Sequence, residues 1–243
     1  MIARIEGIVT DVRKHSDRHN IVSLYTRERG RVALLSPVGQ GRNARVRNAS
    51  LMPLSVISAD VNFNPTRDLQ FLGKFQRACL WKDIYFNPVK SALSIFVTEF
   101  LNAYLRESPA DTATYDYIVR AIRTLDEARH PAAIANFHIA FLVGFLTCAG
   151  IRPDLSGWRP DAFFDMQEGV MTTLPPSHRN LLLPADSRHL PLLSRITLDN
   201  CRAFRLNAEQ RREILNQLLR YYSIHFPGLS TLKSVEVLKE IFA

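Results

Sequence analysis

The chain has 243 residues, of which 47% are hydrophobic, so it can bury a core without disulfides or metal. Its 31 Lys and Arg against 23 Asp and Glu give a net charge of +8, which favours a polyanionic partner. The widely spaced Cys79, Cys148 and Cys201 form neither a disulfide framework nor a CxxC pair, and Arg4 and Glu6 interrupt what would be the apolar part of a secretory signal. We therefore expect a cytoplasmic protein.

The first third of the chain is predicted to form strands, because apolar residues alternate there with a period of two. The expected strands cover about 5–13, 21–26, 31–35, 55–63 and 69–75. In the last of these, the alternation places Leu69, Phe71, Gly73 and Phe75 on one face. Turn-forming Gly, Pro, Asn and Asp separate the strands. Five strands in about 75 residues predict an OB-type β-barrel, with an SH3-type barrel as the alternative.

A basic segment lies between the third and fourth predicted strands. Residues 38–53, VGQGRNARVRNASLMP, are expected to form a loop, and no Asp or Glu occurs between Glu28 and Asp60. Residues 1–76 carry 12 Lys and Arg against 6 Asp and Glu, whereas residues 77–243 carry 19 against 17. The excess positive charge is therefore concentrated in the predicted barrel.

The cations of the predicted barrel favour a nucleic-acid interface. In an OB-type barrel the binding face lies on the middle strands, between the loop that joins strands one and two and the loop that joins strands four and five. Guanidinium groups match phosphates geometrically, and neutralised phosphates release counterions. A solvated loop without function is the alternative for the basic segment, and Tyr25 and Phe63 are candidates for base stacking or for the core. The predicted contact residues are Arg13, Lys14, Arg18, Arg42, Arg45, Arg47 and Arg67.

From about Gly73 the apolar residues follow a helical period. Residues 150–187 are predicted to be an irregular insertion with a hairpin around FFDMQEGVMTTL, and residues 130–151 carry no Asp, Glu, Lys or Arg and predict a buried central helix rather than a membrane span. We expect an α+β protein with a barrel domain at residues 1–76 and a helical domain at 77–243. The predicted helices cover 88–107, 111–128, 131–149, 188–199, 207–226 and 231–242.

Catalytic motifs are missing from the sequence. It contains no GxSxG, Walker A or HExxH motif, and His15, Ser16 and Asp17 are consecutive residues that cannot by themselves orient a catalytic triad. His138 has no partner at metal-ligand spacing and is more typical of a core histidine. We expect no enzyme activity.

Two stretches give the sequence a family resemblance. The pattern GIV…SD…IVSLYT…G at residues 7–30 and YYSIHFPGLSTLKS at residues 221–234 are its most specific parts. The chain resembles, over nearly its whole length, the RecO family of bacterial recombination mediators. The resemblance implies an OB-fold that binds single- and double-stranded DNA, a helical second domain, and a nonenzymatic role in DNA repair at the nucleoid.

The resemblance also implies partners. It implies that the protein anneals complementary strands, docks the acidic tail of the single-strand-binding protein on its helical domain and, with RecR, helps load the RecA recombinase. Many family members hold zinc with four cysteines, but residues 148–176 retain Cys148 alone, so we expect no metal and no cofactor. The alternative function is that of an OB-fold protein that binds structured RNA.

Overall fold

The computed structural model describes residues 2–39, 42–64, 66, 67 and 69–242, with the backbone alone for residues 42–45 and Glu107. The chain divides into two compact units, Met1–Glu127 and Ala128–Ala243. The domain boundary predicted after residue 76 therefore falls inside the first unit, next to the end of its last strand.

The first unit contains a closed five-stranded barrel, as the sequence predicts. The strands are paired in the order β1-β2-β3-β5-β4, and β3 and β5 are the parallel pair that closes the barrel. This architecture confirms the predicted OB-type barrel. The strands are β1 (Ile2–Lys14), β2 (His19–Thr26), β3 (Gly30–Pro37), β4 (Val56–Asn62) and β5 (Gln70–Arg77).

The faces of β5 differ from the predicted alternation. Val61 pairs with Leu72 whereas Ala59 pairs with Phe75, so the register shifts by one residue between them. A bulge of this kind moves the following side chains to the other face. Leu72 and Phe75 consequently pack on the barrel core, while Phe71 points outward and is 47% exposed. The prediction that Phe71 and Phe75 share a face is therefore wrong.

The predicted basic loop contains a helix, α1 (Arg42–Ala49). The prediction of a loop throughout this segment is therefore wrong. The helical sequence, RNARVRNA, has no Gly or Pro, and Arg and Ala are strong helix formers. Directly after the helix, Leu51 enters the barrel core and Leu54 is fully buried. The segment thus closes one part of the barrel interior while it carries the arginines.

Two long helices of the first unit cover one outer side of the barrel. They are α2 (Pro88–Tyr104), which continues into a 3-10 turn, and α3 (Thr112–Glu127). The Tyr115 hydroxyl donates to Glu6 Oε1 of β1 at 3.0 Å, and the amide of Asn102 donates to the Thr10 carbonyl. The barrel residues Ile8 and Tyr25 are buried in consequence. Tyr25 is therefore not available to stack on bases.

The turn between β2 and β3 meets the segment between α2 and α3 backbone to backbone. Gly30 has φ +64°, and a Cβ there would lie 2.7–2.8 Å from backbone atoms of Ser108, Pro109 and Ala110. The Tyr25 hydroxyl donates to the Pro109 carbonyl at 3.4 Å beside this contact. Only glycine satisfies both the left-handed conformation and this close approach.

A buried ionic network fastens the segment after the barrel to these helices. The Asp126 carboxylate accepts hydrogen bonds from the backbone N–H groups of Lys82, Asp83 and Ile84 at 2.8–2.9 Å. The ammonium of Lys90, which is fully buried, lies 2.7 Å from Asp83 and donates to the Asp126 carbonyl at 2.8 Å. Burial alone would raise the pKa of Asp126, but the backbone donors and Lys90 outweigh it and hold this pKa below its ordinary value.

We expect Asp126→Asn to destabilise the protein by roughly 1–3 kcal/mol at pH 7. The substitution removes the negative charge that accepts the three backbone hydrogen bonds and lies near the buried ammonium of Lys90. The folded pKa is lower than the unfolded one, so the stabilisation is complete above about pH 4 and is lost as the pH falls through the folded pKa. Urea unfolding between pH 3 and pH 7 measures both effects. The control Asp161→Asn changes an exposed carboxylate. A variant with wild-type stability and acid dependence would contradict the prediction.

The second unit combines helices with a small sheet. The sheet has the order β7-β6-β8, and β6 with β7 forms the hairpin predicted around residues 163–174. The capping box of Asn207 and Gln210 is present at the start of α7, as its sequence predicts. The elements are α4 (Pro131–Cys148), β6 (Phe163–Asp165), β7 (Val170–Thr172), β8 (Leu181–Leu182), α5 (Pro184–Ser187), α6 (Leu190–Leu193), α7 (Ala208–His225) and α8 (Ser234–Ile241).

The helix predicted at residues 188–199 is wrong for most of its length. Only the four residues of α6 are helical there, and Pro191 lies inside them. Proline removes a backbone donor, so it suits a first turn but not a longer helix. Beyond α6 the chain forms turns up to Cys201.

Helix α4 is the apolar helix of the second unit. By length and composition it would suit a membrane span, but one such helix is weak evidence, and half of its residues are buried inside the structure. It packs on α7, where the Tyr222 hydroxyl donates to the Leu142 carbonyl at 2.7 Å. His138 is buried in it, and burial, with a smaller effect of Arg211, lowers the pKa of His138 to about 3. These contacts are those of a core helix.

Candidate nucleic-acid interface

A row of paired residues crosses the barrel on neighbouring strands; its two ends are exposed, whereas Ile21 in its middle is buried. Arg13 of β1 pairs with Ile21 of β2, Ile21 pairs with Leu35 of β3, and Leu35 pairs with Phe71 of β5. The row begins with an exposed cation and ends with a half-exposed aromatic ring. We call these four residues the cross-strand row. It joins two of the regions that the sequence predicts to bind, the β1–β2 turn and the β4–β5 loop.

Phe71 lies in contact with one arginine and one histidine. The guanidinium carbon of Arg67 lies 5.8 Å from the centre of the Phe71 ring, and the His19 ring contacts Phe71 edge to face with 6.1 Å between centroids. An exposed aromatic ring beside an arginine is the arrangement with which single-strand-binding surfaces combine base stacking and phosphate contact. Phe71 is the candidate stacking residue.

The β4–β5 loop that carries Arg67 is held by one buried side chain. Gln70 accepts a hydrogen bond from Asn64 N at 2.8 Å, and its amide donates to the carbonyls of Asn64 and Arg67. Gln70 also pairs with Leu34 at the parallel closure of the barrel. The same residue therefore positions the loop and the strand that present Arg67 and Phe71.

The β1–β2 turn presents the other predicted cations. Lys14 and Arg18 are exposed, but Lys14 forms an ion pair with Asp17 at 2.7 Å. An exposed pair of this kind contributes little to stability, so Lys14 can exchange Asp17 for a phosphate at small cost. The Arg18 carbonyl accepts from Val38 N at 2.8 Å and so holds the turn beside the end of β3.

Arg47 has a packing role that the sequence does not predict. Its guanidinium lies 5.1 Å over the Phe75 ring and donates to the Leu72 carbonyl at 3.3 Å, which fastens α1 to β5. Burial lowers the pKa of Arg47. Among the residues that the structure describes, its buried Nε has no hydrogen-bond partner. The side chains of Arg42 and Arg45, which are predicted contacts on the same helix, lie outside the described part.

Arg31 of β3 has charges of both signs near it. Burial is the main cause that lowers the pKa of Arg31 on β3, Asp11 raises it, and the neighbouring Arg106 and Arg13 lower it further. Arg31 also donates a hydrogen bond to the Arg106 carbonyl at 3.3 Å, so it is held by a contact within the first unit.

The sequence does not predict two residues of the interface, Phe71 and His19. Strict alternation puts Phe71 on the same face as Phe75, and nothing in the sequence marks the bulge except Gly73, whose missing Cβ allows the Asp60 carbonyl to approach. His19 falls between the predicted strands 5–13 and 21–26, where a turn is expected. A glycine within the predicted strand, at Gly73, was the sequence feature that could have indicated a bulge and hence an outward position for Phe71.

Residues 148–176, where the resemblance implies a zinc site in many family members, lie partly in the small sheet of the second unit. Residues 154–182 form turns and the β6–β7–β8 sheet, and Asp165 lies 3.2 Å from His178 in it. Within the described ranges, no group of three His, Cys, Asp or Glu side chains is arranged to hold a metal ion. The absence of zinc stays a prediction.

The second unit contains an apolar cavity of about 160 Å³ between α4, α7 and the small sheet. Arg152, which is exposed, lies at its lining. Such a cavity suits an apolar group on a flexible ligand, and the arginine suits an acidic neighbour of that group. We call it the apolar cavity; its lining includes Val143, Leu146, Phe164, Leu190, Leu193, Ile214 and Leu218.

Comparison with known proteins gives consistent matches along the chain. The family model described as Recombination protein O N terminal matches residues 1–77, and that described as Recombination protein O C terminal matches residues 86–157. The DNA repair protein RecO of Phocaeicola vulgatus is 31% identical over 243 residues, and that of Porphyromonas gingivalis strain W83 is 34% identical over 246 residues. Each match covers 100% of both chains.

We predict that Phe71→Ala weakens binding of single-stranded DNA by about 5- to 150-fold, the equivalent of about 1–3 kcal/mol for one stacked base. Because stacking involves no phosphate, the slope of log affinity against log salt should stay unchanged. Arg67→Ala should instead reduce that slope by roughly 0.7. Fluorescence anisotropy over a salt series distinguishes the two variants.

The matched control is Phe86→Ala, which removes a ring that is 81% exposed and lies after the barrel. It should bind DNA like the wild type. Equal affinities for the Phe71 and Phe86 variants would show that the cross-strand row does not stack on bases.

Proposed function

Because the chain belongs to the RecO family of bacterial DNA repair proteins, we propose that it is a recombination mediator that binds single- and double-stranded DNA through its barrel. In this proposal it acts without covalent catalysis, in the cytoplasm and on the nucleoid. The observation that best supports the DNA contact is the exposed ring of Phe71, which lies beside Arg67 at one end of the cross-strand row, with Arg13 at the other end.

The proposed DNA path follows that row and the loops at its ends. Arg13, Lys14 and Arg18 contact phosphates on one side, Arg67 contacts them on the other, and Phe71 stacks on a base. Helix α1 adds Arg42 and Arg45, whereas Arg47 mainly holds this helix on β5. Contacts to the backbone carry no base information, so the surface accepts any sequence and also accepts the phosphates of a duplex.

We propose that the protein anneals complementary strands and, with RecR, helps load RecA on single-stranded DNA coated by the single-strand-binding protein. Sequence-independent contact supports this role, because an annealing protein has to hold both strands of any pair. Stacking on one exposed ring leaves most base edges free to pair with the second strand.

We further propose that the apolar cavity docks the acidic, apolar-tipped tail of the single-strand-binding protein. The apolar tip would enter between α4 and α7, and Arg152 would attract the acidic residues that precede it. A cavity of about 160 Å³ accommodates a side chain rather than a whole peptide, which fits a tip that anchors and a tail that stays on the surface.

To test the docking, a labelled tail peptide is titrated against Arg152→Glu. We expect its affinity to fall on the order of tenfold, because the charge at the cavity changes from attractive to repulsive. Arg159→Glu, which makes the same change at an exposed site outside the lining, serves as the control. If both variants bind the peptide like the wild type, the tail does not use this cavity.

Annealing of complementary strands that are precoated with single-strand-binding protein tests the mediator function. We expect the purified protein to accelerate duplex formation, measured by quenching of a fluorophore pair, and removal of the tail from the coating protein to abolish the acceleration. A competition with structured RNA addresses the alternative. RNA that displaces DNA at equal nucleotide concentration, together with no acceleration, would favour an RNA-binding protein over a mediator.

A further inference from the structure

The second unit contains a cavity of about 540 Å³ that is distinct from the apolar cavity. It lies between the start of α4 and the segment that leads into α7. Three arginines line it, Arg202, Arg205 and Arg211, together with His130. Among the residues described around this cavity none is acidic. We call it the arginine cavity.

Two of these arginines are exposed and uncompensated. Arg202 and Arg205 have no hydrogen-bond or ion-pair partner within the described ranges of the chain. They lie on the stretch between Asp199 and Glu209, which contains no acidic residue. Their charges therefore act on the solvent at the mouth of the cavity.

The third arginine, Arg211, is half-buried. Arg211 lies 5.7 Å over the Phe242 ring and donates to the Leu206 carbonyl. Across the described residues it has no acidic partner, and its buried Nε has no acceptor. Arg211 is half-buried, and a cation that has lost part of its hydration is stabilised by an anionic partner. An anion in the cavity would supply that partner.

The exposure of two arginines at the cavity favours an extended anion over a small one. A small ligand is usually enclosed, with most of its surface buried in an apolar pocket, whereas the guanidinium groups of Arg202 and Arg205 face water. Successive phosphates of a flexible strand can meet successive arginines, and guanidinium forks suit phosphate oxygens. The half-buried ring of Phe204 lies between the two exposed arginines in sequence and adds an aromatic surface.

We propose that the arginine cavity holds the sugar–phosphate backbone of a second single DNA strand while the barrel holds the first. The inference rests on the proposed DNA-binding and annealing function and deepens it. One chain then binds two strands, with one site in each unit. A strand held through its phosphates keeps its bases free, which is the condition for pairing with the strand on the barrel.

The experiment uses the full-length protein with two non-complementary oligothymidylates that carry a donor and an acceptor fluorophore. For the wild type we expect energy transfer between the strands and, by native mass spectrometry, complexes of one chain with two strands. In Arg202→Glu/Arg205→Glu the second strand should be lost while the first binds as before. The salt slope for the second strand should fall by about 1.4, since two phosphate contacts are removed.

The control Arg159→Glu/Arg179→Glu makes the same charge change at exposed positions outside the cavity and should keep both strands. Arg202→Gln/Arg205→Gln repeats the test without introduced acids, in case the first variant does not fold. A wild type that binds one strand and never two overturns the inference and leaves the proposed function intact. A wild type that binds no strand overturns the proposed function itself. A cavity variant that keeps two strands but loses the tail peptide shows that the arginines hold an acidic peptide, which also overturns the inference.

Discussion

Two register positions, Leu34 with Gln70 and Leu35 with Phe71, join β3 to β5 in parallel and close the barrel. The inward member of this pairing, Leu34, belongs to the core, and the outward member, Phe71, belongs to the candidate interface. Gln70 adds three hydrogen bonds to the loop before β5. Core, loop and interface therefore depend on the same short pairing, and a shift of β5 by one residue would bury Phe71 and expose Leu72.

The contacts of exposed arginine side chains differ between the two units. On the barrel, arginines lie over aromatic rings, as Arg29 does over Phe63 at 4.2 Å and Arg67 does over Phe71. These contacts hold the side chains in place without an acid, so their charge remains available to a ligand. In the second unit, Arg211 is packed against Phe242, whereas Arg202 and Arg205 have no partner among the residues that the structure describes. The first arrangement is a preformed surface, and the second is a cavity whose charge is balanced when an anion binds.

The sequence predicted the parts of the fold that depend on local pattern. Period-two alternation identified five strands, and the Asn207 capping box identified the start of α7, because each depends on neighbouring residues alone. The prediction was wrong for α1, where a run of arginines was read as a loop although its residues favour a helix. It was also wrong for β5, because a bulge depends on the opposite strand, and for residues 188–199, where Pro191 limits the helix to one turn.

The sequence predicted basic residues of the candidate interface but not its exposed aromatic residue. Arg13 and Arg67 were identified from loop positions, and the structure places them at opposite ends of the cross-strand row. Phe71 required the register of β5 to be known. Arg47 shows the opposite case, since a cation that looks solvated in the sequence is engaged by the Leu72 carbonyl and the Phe75 ring. Which cations are free is decided by packing across strands.

The contact at Gly30 has a consequence for how such proteins can be divided or recombined. The barrel strands end at Arg77, yet the turn at Gly30 touches the backbone of residues 108–110, and Tyr25 and Ile8 are covered by helices that follow the barrel. A fragment that stops directly after β5 would expose these apolar residues to water and would be prone to aggregate. Chimaeras between relatives, and truncated forms for crystallography or spectroscopy, should therefore be joined near residue 127, where the first compact unit ends.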